Sequence, residues 1–169
     1  MSDAKKTMLV TGASRGIGAE IALLAGRSGY RVGVNYLRSE KAAHDVVKAI
    51  EAAGGEAVAL QADVSRLDEV VSMFTQLDEA FGKLDVLVNN AGVLASFWVD
   101  AVDDHNLADV FAANVFSSYY CAREAIRRMS TAHGGTGGVI INMSSGASRL
   151  GGLGGGAQHR AAAAKLHQP

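Results

Sequence analysis

Cysteine and proline are almost missing from this chain, which has one of each, Cys121 and Pro169, among 169 residues. A single cysteine excludes a disulfide within the chain, and Cys121 is expected to be a small buried apolar residue rather than a nucleophile. No apolar run approaches the length of a membrane span, and residues 1–6 lack the apolar stretch of a signal peptide. These absences predict a cytoplasmic protein that does not enter a membrane.

Net charge is also small, because 16 lysines and arginines stand against 17 acidic residues. That balance provides no basic field for nucleic acid and no cationic face for a membrane surface. The five histidines show no metal-ligand spacing. We therefore expect no nucleic-acid partner and no metal site.

What the chain does contain is a regular alternation of strand and helix patterns. The predicted strands are residues 7–10, 31–36, 57–61, 84–88 and 139–143. The predicted helices are residues 16–28, 39–53, 65–81 and 104–129. Such alternation is typical of βαβ units, which form a parallel sheet covered by helices on both faces. The predicted fold is a Rossmann-type, doubly wound α/β domain of three layers (α/β/α), with a crevice at the carboxyl ends of its strands.

Two local signals refine the predicted helices. The run Ser65-Arg66-Leu67-Asp68 resembles a capping box with Asp in place of Glu, so Ser65 is expected to cap the third helix. The long helix over residues 104–129 is expected to be interrupted near Asn114.

A glycine-rich turn, TGASRGIG at residues 11–18, follows the first strand. Gly12 allows a tight turn, Gly16 allows the backbone to approach a pyrophosphate, and Gly18 allows the next helix to lie close to the sheet. The free N–H groups and the positive dipole end of that helix would face the anion. A glycine-rich loop alone is a weak signal, but its position between a strand and a helix favours a phosphate site over a structural turn.

Four segments, in the expected order, resemble those of the short-chain dehydrogenase/reductase family. Residues 11–18 match the family's Thr-Gly-x-x-x-Gly-x-Gly turn, and Asp63-Val64 follow the third strand. Residues 89–92 (NNAG) follow the fourth strand, and Asn114 lies in the long helix, as the family's active-site Asn does. The resemblance covers residues 7 to 150 and is strongest toward sugar-dehydrogenase-like or ketoreductase-like members.

This resemblance implies a nicotinamide cofactor. In the family, the Asp after the third strand contacts the adenine, and the Asn-Asn-Ala-Gly segment stabilises the sheet and lines the cofactor. The glycine turn, the arginines near the proposed 2′-phosphate and the family segments together give the predicted cofactor-binding residues, which are Gly12, Ser14, Arg15, Gly16, Ile17, Gly18, Arg38, Asp63, Val64, Asn90, Ala91 and Gly92.

The cofactor is predicted to be NADP(H) rather than NAD(H). A preference for NAD(H) is usually set by an acid about 20 residues beyond the turn, which binds the ribose 2′-hydroxyl. The second strand ends in NYLR at residues 35–38, without an acid. Arg15 and Arg38 could both reach a 2′-phosphate, which a guanidinium suits by charge and by shape. Either arginine alone could be a solvated surface charge, whereas the pair, with the acid absent, favours NADP(H).

The resemblance also implies a catalytic set, which this chain matches in part. Ser145 follows the fifth strand, where the family has its substrate-orienting Ser, and Asn114 is the counterpart of the active-site Asn. Either could instead be structural, as a loop hydroxyl or a helix-bend residue. Lys165 is the one lysine in the region of the family's Tyr-x-x-x-Lys motif, but Ala161 stands in the tyrosine position. His159, six residues before Lys165, is a weak replacement for the proton donor.

The end of the chain differs in composition from the rest. Residues 151–169 carry glycine and alanine runs typical of low complexity, where the family continues into its Tyr-x-x-x-Lys helix and further strands. We expect an NAD(P)-binding domain over residues 1–150, a divergent tail over residues 151–169, and a truncated sheet that is incomplete at its C-terminal edge.

The predicted function is that of an NADP(H)-dependent oxidoreductase acting on a small-molecule alcohol or carbonyl, with activity impaired by the missing tyrosine. The alternative is a non-catalytic remnant that binds nucleotide or a partner subunit. A homo-oligomer through the helix over residues 104–129 is also expected.

Overall fold

The computed structural model describes residues 5–94 and 103–145. Its strands and helices alternate along the chain, and a π-helical turn (Ala112–Phe116) and a short 3-10 helix (Thr131–His133) accompany them. The elements are β1 (Thr7–Val10), α1 (Gly16–Arg27), β2 (Arg31–Tyr36), α2 (Glu40–Ala52), β3 (Glu56–Gln61), α3 (Leu67–Phe81), β4 (Val86–Asn89), α4 (Asp104–Phe111), α5 (Ser117–Met129) and β5 (Val139–Asn142).

All strand pairs in the sheet are parallel, and the strand order is β3-β2-β1-β4-β5. The order reverses direction at β1, since β2 and β4 lie on its two sides. A crevice forms at such a switch point because neighbouring connections leave toward opposite faces. The predicted doubly wound Rossmann-type sheet is confirmed, and β5 is its edge strand among the described residues.

Alternate residues along each strand face the two helical layers. Val10 and Val34 pack with α1 and α2 in one apolar cluster. Leu9 and Leu87 pack with α3 and α5 in a second cluster, which includes the fully buried Cys121. Strands that are apolar on both faces are expected in a parallel sheet covered on both sides. The three-layer arrangement and the buried position of Cys121 are therefore confirmed.

The predicted capping box at Ser65 is wrong. Helix α3 begins at Leu67, and its N-cap residue, Arg66, makes no side-chain cap bond. The N–H and the hydroxyl of Ser65 instead both donate to Oδ1 of Asp63, at 2.9 and 2.6 Å. A carboxylate two residues away is a strong acceptor, so it engages the Ser65 hydroxyl that a capping box would aim at the helix.

The predicted interruption of the long helix is confirmed as a π-helical turn. Helix α4 continues through Ala112–Phe116 into α5 without a loop, and Asn114 lies inside the turn. π-Turns within α-helices occur often at functional sites.

The predicted tail lies outside the described residues, as do Lys165, Ala161 and His159. Within residues 5–94 and 103–145, no helix has both the length and the apolar character needed to cross a membrane. The same ranges hold no group of three or more His, Cys, Asp or Glu side chains placed to bind a metal ion.

Candidate cofactor-binding cleft

A cleft of about 750 Å³ opens at the carboxyl edge of the sheet. Its walls come from five segments that are distant in sequence: the turn after β1, the end of β2, the segments that follow β3 and β4, and Ala113 in the π-helical turn. All twelve residues for which a cofactor contact is predicted line it, namely Gly12, Ser14, Arg15, Gly16, Ile17, Gly18, Arg38, Asp63, Val64, Asn90, Ala91 and Gly92. The fold thus brings the predicted set into one cavity.

The amino terminus of α1 opens into this cleft. Its N-cap residue, Arg15, has extended backbone and provides no side-chain cap, and the first turn holds no acidic residue. Gly16, the first helical residue, has φ of +58°, and a Cβ atom built there would meet no atom within 4 Å. The first N–H groups of a helix carry partial positive charge and seek acceptors. An anion in the cleft could therefore approach the start of α1 closely.

Two further glycines bring α1 against the segment that follows β4. Gly12 has φ of +63°, and a Cβ atom there would lie 3.0 Å from Cα of Ala91. A Cβ atom at Gly18 would lie 2.5 Å from both Nδ2 of Asn90 and the carbonyl oxygen of Gly12. A side chain at either position would push the helix away from the sheet.

Thr11 and Asn90 lock the glycine turn to the same segment. The Thr11 hydroxyl oxygen accepts the N–H groups of Asn90 and Ala91 at 3.0 and 2.9 Å. The Asn90 amide returns two bonds, donating to the carbonyls of Thr11 and Gly12 at 2.9 and 3.2 Å. Asn90 therefore lines the cleft and also fixes the shape of the turn.

Asn35, near the end of β2, is a cleft residue that the sequence analysis missed. Its side-chain oxygen accepts the N–H of Gly12 at 3.0 Å. Its Nδ2 donates to the carbonyls of Leu60 and Ala62, both at 3.2 Å. The one sequence signal for this role is an amide side chain that directly follows the apolar run of residues 32–34 within the strand.

The loop after β3 is held by its own acidic residues. Ser65 donates twice to Oδ1 of Asp63, and the Asp63 N–H donates to Oε2 of Glu69 at 2.7 Å. The Arg66 guanidinium pairs with the same Glu69 carboxylate at 2.8 Å. Asp63 and Val64 therefore line the cleft on a fixed backbone. The sequence analysis assigned Ser65 to a helix cap instead of this loop, and it did not identify Glu69 as a support.

The rim of the cleft near β2 is positively charged. Arg15 and Arg38 are both exposed and both line the cleft. Neither forms an ion pair with any residue in the described ranges. Tyr36, the last residue of β2, also lines the cleft, and burial, and then the charge of Glu40, raise the pKa of its phenol. The rim therefore offers an anion two guanidinium groups that have no ion pair within residues 5–94 and 103–145.

Of the three predicted catalytic residues, the described structure includes Asn114 and Ser145. Asn114 is buried in the π-turn, where its side chain accepts the N–H of Val93 at 2.8 Å and donates to the Val93 carbonyl at 3.0 Å. Val93 lines the cleft, so Asn114 shapes its wall through a backbone contact. Ser145 is exposed, three residues beyond β5, and is not among the cleft-lining residues. Lys165 lies outside the described ranges.

Comparison with known proteins places this architecture in a family. The family model for short chain dehydrogenases matches residues 6–164. The chain is 47% identical over 144 residues to a protein of Escherichia coli (strain K12), uncharacterized oxidoreductase YgfF, covering 85% of this chain and 58% of that protein. It is 41% identical over 140 residues to the 3-oxoacyl-[acyl-carrier-protein] reductase FabG of Staphylococcus aureus (strain Mu50 / ATCC 700699), covering 83% and 56%.

Solved structures agree with these relatives. The crystal structure of a dehydrogenase/reductase from Sinorhizobium meliloti 1021 superposes with a TM-score of 0.89 at 35% identity, covering 96% of this chain and 63% of that one. The chain thus spans somewhat more than half the length of the proteins it matches. From the family model, the sequence identities and the shared fold, we conclude that this chain belongs to the short-chain dehydrogenase family.

Proposed function

We propose that the cleft binds NADP(H) and that the protein is an oxidoreductase of an alcohol or carbonyl substrate. The observation that carries this proposal is the uncapped amino terminus of α1, which opens into the cleft beside Arg15 and Arg38. Relatives named as oxidoreductase and reductase support the reaction class.

The residues present fit such a cofactor. Gly16 leaves open space at the helix terminus for a diphosphate, and the two rim arginines suit the 2′-phosphate that distinguishes NADP(H) from NAD(H). Asp63, held on its fixed loop, is proposed to contact the adenine, and the segment from Asn90 to Gly92 is proposed to line the rest of the dinucleotide. When bound, the nicotinamide supplies or accepts the hydride.

The chain's own contribution to catalysis is proposed for three residues. Asn114 holds the wall of the cleft through Val93, and Ser145 orients the substrate oxygen. Lys165 is proposed to approach the nicotinamide ribose. With Ala161 in the place of the family's tyrosine, positioned proton transfer is missing, which lowers a rate by about 10²–10⁴. We therefore expect cofactor binding with little turnover.

Cofactor titration tests the binding half of the proposal. NADPH is expected to bind more tightly than NADH to the full chain. Arg15→Ala and Arg38→Ala should each weaken NADPH by roughly tenfold or more, because a hydrogen bond to a charged group contributes about 1.5–3 kcal/mol. NADH affinity should not change. Arg27→Ala, an exposed arginine in the last turn of α1, is the matched control. Equal affinity for both cofactors would contradict the assignment of NADP(H).

A restored tyrosine tests the catalytic half. Ala161→Tyr places a phenol four residues before Lys165, and it should raise NADPH oxidation on a panel of aldehydes and ketones by about 10²-fold or more. Ala162→Tyr provides the same side chain at the wrong offset and should not. Binding of NADPH without turnover in either variant would favour the alternative, a nucleotide-binding remnant without catalytic activity.

Self-association through residues 104–129 is part of the same proposal. Phe116, Tyr119 and Ile126 are 47%, 49% and 45% exposed along this helical segment, and exposed apolar side chains grouped on a helix favour a protein contact. Sedimentation of Tyr119→Asp should show a smaller species than the original chain. An unchanged sedimentation coefficient would contradict a contact through this face. A cytoplasmic location and the lack of a nucleic-acid partner stay predictions.

A further inference from the structure

We infer that Asn35 is a positioning residue that joins the phosphate end of the cleft to its adenine end. The inference rests on the proposed function, because it assigns the two ends by the cofactor they would hold. Asn35 is 2% exposed, and its side-chain amide contacts both the glycine turn and the end of β3. It lies one residue before Tyr36, the last residue of β2.

On one side, Asn35 holds the glycine turn. Its side-chain oxygen accepts the Gly12 N–H at 3.0 Å, and its backbone carbonyl accepts the Ala13 N–H at 2.7 Å. These two bonds fix the turn just before Arg15 and the start of α1. Any shift of the turn would therefore move the N–H groups and the guanidinium proposed to meet the phosphates.

On the other side, Asn35 holds the chain that leads to Asp63. Its Nδ2 donates to the carbonyls of Leu60 and Ala62 at 3.2 Å each. The bond from the Ala62 N–H to the Tyr36 carbonyl, at 3.0 Å, supports the same stretch. A single short side chain thus sets the spacing between the turn and the Asp63 loop, which is the spacing between diphosphate and adenine.

The chemistry of this position calls for an amide. The site needs an acceptor toward Gly12 and a donor toward two carbonyls within one short buried side chain, which asparagine provides. An aspartate would keep the acceptor but would turn a negative oxygen toward the carbonyls of Leu60 and Ala62. An alanine would leave the Gly12 N–H and both carbonyls without these bonds, a loss that carries a desolvation penalty.

A second buried polar bridge provides the matched control. Asp85 lies just before β4, at the opposite end of the sheet, where Oδ2 accepts the Thr7 N–H at 2.8 Å. Like Asn35, it joins two chain segments through a buried side chain. Neither Asp85 nor Thr7 lines the cleft. Loss of the Asp85 side chain should therefore lower stability without changing the affinity for NADPH.

The test compares Asn35→Ala, the milder Asn35→Ser and Asp85→Ala in the full chain, with NADPH as the probe. All three should lower the melting temperature. At a temperature where circular dichroism shows each variant to be folded, the Asn35 variants should lower the affinity for NADPH by about tenfold or more, because they lose the buried hydrogen bonds of the Asn35 side chain. Asp85→Ala should stay within about twofold. Hydrogen exchange at the Gly12 amide should accelerate in the Asn35 variants alone.

The outcomes separate this inference from the proposed function. If the original chain binds NADPH and the folded Asn35 variants bind it equally well, Asn35 is merely structural and the inference is overturned while the function stands. If Asp85→Ala loses as much affinity as Asn35→Ala, the effect is one of general stability and the inference is again overturned. If the original chain binds neither NADPH nor NADH, the proposed function fails and the inference fails with it.

Discussion

The amino termini of α1 and α4 face the same physical problem and solve it differently. At α4, the N-cap Asp103 accepts the Asn106 N–H at 2.7 Å, and Asp104 follows in the first turn. At α1, the N-cap is Arg15, without a side-chain cap and without an acid in the first turn. The first helix N–H groups need acceptors. At α4 a side chain supplies one of these acceptors, whereas at α1 no side-chain cap does.

Helices α2 and α3 resemble α1 in lacking a side-chain cap, but they resemble α4 in having an acidic residue in the first turn. Helix α2 begins with Glu40, and α3 has Asp68 and Glu69 in its first turn. Acidic residues stabilise a helix start through its dipole, but they would repel a bound anion. The lack of an acid in the first turn distinguishes α1 from α2, α3 and α4, and the proposed anion site depends on this difference.

The largest expected effect comes from giving α1 the kind of cap that α4 has. Arg15→Asp should lower NADPH affinity by about 100-fold or more, since it removes a charge-assisted bond and adds a repulsive charge. The same change should raise the free energy of unfolding by about 0.5–2 kcal/mol, because aspartate is a favoured N-cap residue. Titration with NADPH and urea unfolding measure the two effects.

Arg15→Ser is the control for that experiment, since it provides a neutral cap. It should stabilise the fold similarly and lose less affinity than the aspartate variant. If Arg15→Asp bound NADPH as well as the original chain, the α1 terminus would not be an anion site, and the contrast with α4 would have no functional meaning.

Close packing of α1 is the next feature to disturb. Gly18→Ala should lower the free energy of unfolding by about 1–3 kcal/mol, as expected for overpacking. The added Cβ would meet Nδ2 of Asn90 and the Gly12 carbonyl at 2.5 Å, so the turn that α1 presents to the cleft must shift. Chemical denaturation checks the stability. A variant as stable as the original chain would show that the helix can move outward without penalty.

Removing the cap of α4 should have a smaller effect, confined to stability. Asp103→Ala is expected to lower the free energy of unfolding by about 1 kcal/mol, the usual contribution of an N-cap side chain. NADPH affinity should stay the same, because Asp103 bonds to the N–H of Asn106 in its own helix and to no residue of the cleft. Thermal melts measure the change in stability, and a titration with NADPH measures the affinity. A large loss of NADPH affinity would contradict the proposal that α1 and α4 differ in ligand binding.

The smallest expected effect is a pH dependence at the start of α3. A hydrogen bond from Arg66, followed by that guanidinium's charge and nearby backbone N–H groups, lowers the pKa of Asp68 below its ordinary value of 3.8. Because the folded pKa is the lower one, Asp68 stabilises the fold above pH 3.8, and this contribution disappears as the pH falls through the folded pKa. Asp68→Asn should therefore melt slightly lower than the original chain at pH 6, and this difference should shrink as the pH is lowered through the folded pKa of Asp68. A difference that keeps its full size in acid, for as long as the protein remains folded, would exclude this origin.

Much of the fold was predictable because its signals are local. The glycine turn at residues 11–18, the alternating apolar patterns and the interruption near Asn114 all lie within short stretches. The twelve residues predicted to bind the cofactor line one cleft, since parallel strands bring their carboxyl ends to one edge of the sheet. Their contacts with a cofactor stay predictions.

The supports of the cleft were harder to predict, because each depends on a partner far along the chain or on a competing acceptor. Ser65 was assigned to a helix cap, and the neighbouring Asp63 engages it instead. Asn114 was considered as an active-site or helix-bend residue, and its side chain holds Val93, 21 residues away. The Ser65 bond is local, but the sequence offered two competing partners for that hydroxyl, and the Asn114 bond depends on how distant segments meet after folding.

The sequence by itself determined the order of strands and helices, the glycine turn and the lack of an acid at the end of β2, since these are properties of neighbouring residues. Only the tertiary structure decided that Asn35 holds Gly12 on one side and Leu60 and Ala62 on the other. Its partners lie 23 to 27 residues away in the chain, and they become neighbours only because parallel strands stack β1, β2 and β3 side by side.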